Sequence, residues 1–174
     1  MRKLSVLSLS VLLLSGVAVA QETKKPLSPP AKAEATLNGK KITIDYSAPS
    51  KRGRDIMGVL VPFDKVWRTG ANAATTLTTE GDLMIGKIHV PAGKYTLFTI
   101  PGEKEWTLIV NKQTGQWGTK YDQAQDLGRT KMTVKTLPSS VETFAIDLKP
   151  MDNARAPLTL KWDNTEASVM VFAH

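Results

Sequence analysis

Six cationic, polar or aromatic side chains in one irregular segment form the best candidate for a binding site. The segment runs from Ala48 to Ala74 and connects two predicted strands. A connection this long inside a compact domain is uncommon and often carries function. Guanidinium groups match the geometry of carboxylate, sulfate or phosphate, and an ammonium group adds positive charge. The predicted binding residues are Lys51, Arg54, Trp67, Arg68, Thr69 and Asn72.

The residue types suggest a division of labour. The three basic side chains would contact the anion, Thr69 and Asn72 would orient it by hydrogen bonds, and Trp67 would stack on it or support the loop. An alternative of equal weight is structural, because arginines in long loops often pair with carboxylates or cap carbonyl groups. Residue type alone does not separate these two interpretations.

The residue types offer little support for covalent catalysis or for metal binding. The chain has no cysteine, which excludes thiol nucleophiles, disulfides, iron–sulfur clusters and cysteine zinc sites. Of the two histidines, His89 is interpreted as a surface or hydrogen-bonded residue, and no nucleophile elbow or metal-type spacing occurs. We therefore predict no metal and no cofactor and lean against an enzyme. A hydrolase that uses unidentified carboxylates stays open as the alternative.

The N-terminus has the form of a secretory signal peptide over residues 1–20. A basic start is followed by an apolar run from Leu4 to Val17 and by the small-residue cleavage motif Ala18–Ala20. Cleavage there would remove Arg2 and Lys3 and lower the formal charge from +7 to +5. We expect a soluble periplasmic or secreted protein with no membrane insertion after cleavage.

The net positive charge does not indicate a nucleic-acid partner. The remaining positive charge is spread over the chain without an aromatic-interleaved basic stripe, so nucleic acid is not an expected partner.

Residues 21–31 are rich in proline and lysine, and proline lacks the N–H that a strand would use. These residues are therefore predicted to be a flexible leader outside the sheet, followed by a single domain over residues 32–174.

The rest of the chain is typical of an all-β fold. Alternating apolar residues flank Asn38-Gly39, a pair that favours a tight hairpin. Similar short runs follow to the C-terminus and predict a single antiparallel β-sandwich, jelly-roll-like, of about nine or ten strands with one long loop. Trp106 and Trp162 lie on apolar strand faces and are predicted to be core. Trp117 is expected to plug one end of the sandwich, with stacking on a sugar as the alternative.

Several motifs in and beyond the long segment resemble the domain of unknown function 2911 family. They are Tyr46-Ser47-Ala48-Pro49-Ser50, Gly53-Arg54, Gly58–Pro62, Val66-Trp67-Arg68-Thr69-Gly70-Ala71-Asn72-Ala73-Ala74-Thr75 and Pro91–Pro101. The resemblance covers roughly residues 32–174. It implies an exported bacterial β-sandwich protein without an established activity. The family pattern often has an acidic residue after Asn72, where this chain has Ala73.

Together these features predict a binding or interaction module. Its cationic, polar loop surface would bind an anionic small molecule or a glycan. The alternatives are the hydrolase and a purely structural envelope protein in which the loop arginines stabilise the fold.

Overall fold

The computed structural model describes residues 26–174. The predicted signal peptide and the first part of the predicted leader lie outside the described residues. The described part is almost entirely β, with one short 3-10 turn at Gln123–Gln125. The strands are β1 Pro30–Leu37, β2 Lys40–Ser47, β3 Thr75–Thr79, β4 Leu83–Ile85, β5 Ile88–Val90, β6 Gly93–Ile100, β7 Glu105–Asn111, β8 Asp126–Leu148 and β9 Arg155–Ala173.

These nine strands form one antiparallel sheet in the order β1-β2-β3-β6-β7-β8-β9-β4-β5. The sheet curves so that its first strand, β1, lies close to β8 and β9. Its concave face buries one large apolar cluster to which residues from all nine strands contribute. The prediction of an antiparallel all-β fold is confirmed, and the curvature of the sheet is consistent with a sandwich.

The first hairpin forms where the sequence predicted it. Asn38 and Gly39 have φ values of 47° and 74°, the left-handed pair that a two-residue hairpin turn requires. The turn pairs Leu37 with Lys40 and thereby sets the register of β1 and β2. Alternate residues such as Ala35 and Ile42 then point into the core.

Strands β8 and β9 are longer than their sequence patterns indicated. The patterns predicted two strands in each region, separated near Thr136–Phe144 and near Asp163. In the structure the β8–β9 pairing continues through both places, with register shifts between Thr136 and Ala145 and a positive φ of 51° at Asp163. The irregular backbone interrupts the alternation of buried side chains, which explains why the pattern broke although the pairing did not.

The predicted boundary between the leader and the first strand was wrong. Strand β1 begins at Pro30, and Pro30 pairs with Ser47 and Ala31 with Tyr46, so the last two residues of the predicted leader belong to the sheet. Because β1 is an edge strand and Pro30 is its first residue, the missing N–H removes no bond that the ladder needs.

Aromatic rings form the part of the core nearest the long loop. Trp106 and Trp162 are each only 2% exposed, as predicted. Phe144 packs edge-on against Trp162 with ring centroids 5.9 Å apart. Trp117 does not plug the core, because its side chain is 55% exposed.

Candidate functional site

The segment between β2 and β3 is fastened to the sheet at several points. Isolated bridges join Ser50 to Thr143 and Trp67 to Thr99, and another joins Ala73 to Trp117. Four of the six non-glycine residues with positive φ in the described chain lie in this segment: Arg52, Asp64, Thr69 and Asn72. Such backbone is costly for a β-branched residue like Thr69 and is common at functional sites.

The fastened segment encloses a cleft of about 310 Å³, which we call the loop cleft. Its walls combine three arginines with aromatic, aliphatic and small residues, and no carboxylate lines it among the described residues. The lining residues are Leu27, Ser28, Pro49, Arg52, Arg54, Leu60, Val61, Trp67, Arg68, Gly70, Ala71, Asn72 and Trp162.

Arg68 is the most unusual side chain in the cleft. Its Nε atom is buried and has no hydrogen-bond partner among the described residues. Its aliphatic stem crosses Gly118 so closely that a Cβ at position 118 would lie 2.1 Å from Cδ of Arg68. The backbone on both sides is held together, since the Gly118 N–H donates to the Asn72 carbonyl oxygen at 3.1 Å. The guanidinium is thus directed by packing and not by a carboxylate.

Arg54 also lines the cleft but is partly satisfied by backbone. Its Nε donates to the Lys51 carbonyl oxygen at 2.9 Å and its Nη2 to the Ser50 carbonyl oxygen at 2.7 Å. These bonds close a compact turn, which is the role that the structural alternative gives to the arginines.

Arg52 lines the cleft and was not among the predicted binding residues. Its Nη2 donates to the carbonyl oxygen of Leu27, and its backbone N–H donates to the Glu142 carboxylate at 2.8 Å. The signal was present in the sequence, because Arg52 belongs to the same basic run as Lys51 and Arg54. The approach of Leu27 and Ser28 to this run had no local sequence signal.

Lys51 and Thr69 do not line the cleft. The Nζ of Lys51 lies 2.6 Å from Oδ1 of Asp163, which also accepts a hydrogen bond from Ser140 at 2.8 Å. The Lys51 hydrogen bond is the main cause that holds the pKa of Asp163 below its usual value. Thr69 is fully buried, with its Oγ1 3.1 Å from Oγ1 of Thr99. Both residues hold the loop on the sheet.

Trp67 forms the floor of the cleft. Its ring stacks on Trp162 with centroids 5.9 Å apart and an interplanar angle of 16°, and Phe144 and Trp106 approach it edge-on. One face of the indole is therefore covered by protein. Asn72 is exposed at the rim, in a left-handed turn with φ 59°.

The structure thus places four of the six predicted residues on the cleft: Arg54, Trp67, Arg68 and Asn72. In residues 26–174 no group of three or more His, Asp or Glu side chains is arranged to hold a metal ion. His89 lies on the surface, with its Nε2 3.4 Å from Oδ2 of Asp82. The same residues contain no helix long and apolar enough to cross a membrane.

Fold and cleft together define an antiparallel β protein with an arginine-lined loop site. A family model described as protein of unknown function (DUF2911) matches residues 28–171, so the chain belongs to that family. Neither a curated protein nor a solved structure matches it. Because the family description assigns no activity, a function must be argued from the geometry of the cleft.

Proposed function

We propose that this protein is an exported binding module whose loop cleft recognises an anionic ligand. The observation that carries the proposal is the buried Nε of Arg68, which has no hydrogen-bond partner among residues 26–174 and belongs to a cleft that no carboxylate of these residues lines. A buried donor left without a partner costs about 1–3 kcal/mol, and more when it is charged. A bound anion would remove this cost.

The neighbouring arginines support an anion over a neutral ligand. Arg52 and Arg54 line the same cleft, so three positive charges converge there. Each of the two already uses part of its guanidinium on backbone carbonyls, which fixes its position, and neither guanidinium forms an ion pair among residues 26–174. Arg68 would bind the anion through two N–H groups, and the exposed Asn72 amide would add a hydrogen bond at the rim.

The contacts of the remaining predicted residues favour supporting roles. Lys51 anchors the loop through Asp163, Thr69 holds the strained turn, and Trp67 provides a rigid floor. A neutral glycan would leave the charges of the three arginines that line the cleft without a counter-charge. We therefore favour an anionic small molecule over a glycan, and place the protein in the periplasm or outside the cell because of its signal-type N-terminus.

The purely structural alternative is supported at Arg54 but not at Arg68. The guanidinium of Arg54 caps two carbonyl groups, whereas that of Arg68 has no such bond among the described residues. No observation favours the hydrolase, since several carboxylates of the described chain are held by lysine or arginine.

Calorimetric titration of the purified protein with sodium phosphate, sulfate and acetate at constant ionic strength tests the proposal. We expect at least one of these anions to bind and Arg68→Met to weaken that binding at least tenfold. The matched control is Arg155→Met, which removes an exposed arginine paired with Asp152 away from the cleft. Equal binding by both variants, or no binding by the unmodified protein, would contradict the proposal.

A further inference from the structure

The exposed apolar side chains of the described chain are concentrated around the loop cleft. Leu27 and Leu60 line it and are 74% and 44% exposed. Val59 and Val66 are chain neighbours of lining residues, and Trp117 pairs with Ala73 next to Asn72. Seven large hydrophobic side chains of residues 26–174 are exposed, and the other two, Met151 and Phe172, have no such link to the cleft. Concentrated exposed apolar surface often marks a ligand site.

The two leucines are presented by fastened backbone. Leu60 lies in a turn in which the Gly58 N–H donates to the Val61 carbonyl oxygen and the Val61 N–H to the Ile56 carbonyl oxygen, both at 2.9 Å. Ile56 is buried in the core and anchors this turn. Leu27 is held because its carbonyl oxygen accepts a hydrogen bond from Arg52. The backbone that carries both side chains is therefore held in advance of binding.

The cleft consequently has two chemical parts. One part contains Arg68, whose buried Nε has no hydrogen-bond partner among the described residues, and the other consists of aliphatic side chains above the indole floor. Ligand pockets usually have this composition, in which apolar walls supply affinity and a few polar groups fix the orientation.

Resting on the proposed function, we propose that the ligand is a free single-chain amphiphile, with one anionic head on a short aliphatic tail. The head binds Arg68, and the tail lies between Leu27 and Leu60 over Trp67. The volume of about 310 Å³ is at the lower end of the range for ligand pockets. At about 30 Å³ for a water-sized group, the cleft holds about ten non-hydrogen atoms, which suits a medium-length chain and not a two-chain lipid.

Calorimetric titration with acetate, butyrate, octanoate, octyl phosphate and neutral octanol tests this inference, with tryptophan fluorescence as a second readout. A fully buried methylene tightens binding about fourfold. Because the cleft is open, we expect octanoate to bind at least tenfold more tightly than butyrate and at least tenfold more tightly than octanol. The octyl phosphate arm tells whether the head is preferentially carboxylate or phosphate, and tighter binding of either octyl anion supports the proposal.

Leu60→Ser provides the specific variant, because its side chain is substantially exposed and its loss leaves the turn hydrogen bonds intact. This substitution should weaken octanoate binding severalfold and leave acetate binding unchanged. Met151→Ser, which removes an exposed apolar side chain elsewhere, should change neither.

The possible failures are distinguishable. Binding of the short anions through Arg68 without dependence on chain length would overturn the amphiphile and leave the anion site standing. Absence of binding by every anion would overturn both proposals. Binding to vesicles of anionic lipid without binding of free octanoate or octyl phosphate would also overturn the amphiphile, because the apolar rim would then contact a membrane surface.

Discussion

Two arginines, the half-buried Arg68 and the more exposed Arg129, have opposite environments. The Nε and Nη2 of Arg129 each lie 2.9 Å from Oδ2 of Asp126, and its Nη2 donates to the Tyr121 hydroxyl at 2.7 Å. Tyr121 donates to the same carboxylate oxygen at 2.7 Å, and the fully buried Asn111 donates to Oδ1 at 2.8 Å. We call these four residues, Asn111, Tyr121, Asp126 and Arg129, the Asp126 network.

The two arginines differ in whether a carboxylate lies within hydrogen-bond distance of the guanidinium. In the Asp126 network a shielded acid gathers the surrounding donors, so the polar groups stabilise the fold. In the loop cleft no acid of residues 26–174 is present, so the proposed anion would meet the charge of Arg68 without competition from a carboxylate of those residues. The neighbours of an arginine thus decide whether it stabilises the fold or is left to bind a ligand, and four experiments test this contrast.

The largest effect should come from Asp126→Ala. The substitution leaves Arg129 and the buried Asn111 without their shared acceptor, which should lower the free energy of unfolding by about 3 kcal/mol. Urea denaturation measures the loss. Asp45→Ala, which removes an exposed carboxylate paired with Lys32, should cost at most about 0.5 kcal/mol. Similar losses in the two variants would show that the network adds nothing to stability.

The next effect concerns the packing that directs Arg68. In Gly118→Ala the new Cβ would lie 2.1 Å from Cδ of Arg68 and 2.6 Å from the Asn72 carbonyl oxygen, so the backbone must shift. We expect a stability loss of about 1–3 kcal/mol together with weaker anion binding. Gly81→Ala is the matched control, because its nearest contacts are all with the exposed side chain of Lys40. Thermal unfolding measures the stability of both variants. A larger loss of stability in Gly81→Ala than in Gly118→Ala would refute the packing argument.

The direct comparison pairs Arg68→Met with Arg129→Met. Methionine keeps most of the aliphatic stem and removes the charge. Arg129→Met should cost about 1–2 kcal/mol because Asp126 and Tyr121 lose their donor. Arg68→Met should be neutral or slightly stabilising, since it removes a buried donor without a partner. A large stability loss in the Arg68 variant would instead support a structural role, and chemical denaturation decides between the two.

The smallest effect should be the change in stability that accompanies ionisation of the tyrosines at alkaline pH. Burial, followed by the hydrogen bond and charge of Asp126, raises the pKa of Tyr121 to about 12, and burial also raises the pKa of Tyr46 and of Tyr95. Since ionisation is then easier in the unfolded chain, the stabilisation is complete below pH of about 10 and is lost as the pH rises through the folded pKa values. Phenolate absorbance should show no tyrosine with an ordinary pKa in the native protein, and Asp126→Ala should lower the pKa of Tyr121.

Much of the fold could be predicted because its signals are local. Asn38-Gly39 requires a left-handed turn, and the alternation on both sides of it selects the buried face. The joining of two predicted strands into β8 could not be predicted, because the residues between them have an irregular register and no alternation. The start of β1 was missed because a proline is excluded from central strands, while only the tertiary structure makes β1 an edge.

The candidate site was predictable to the same extent as the fold, in its local features and not in its long-range contacts. The residue types and their spacing are enough to predict that several cationic and polar groups lie in one long connection, because both are local properties of the chain. Which of these groups face the cleft depends on how distant segments pack together. Lys51 meets Asp163 from β9, whereas Arg68 crosses Gly118 and meets no acid in the part of the chain that the structure describes. Charge pairing depends on distances of a few ångströms between residues far apart in the chain, and folding alone sets those distances.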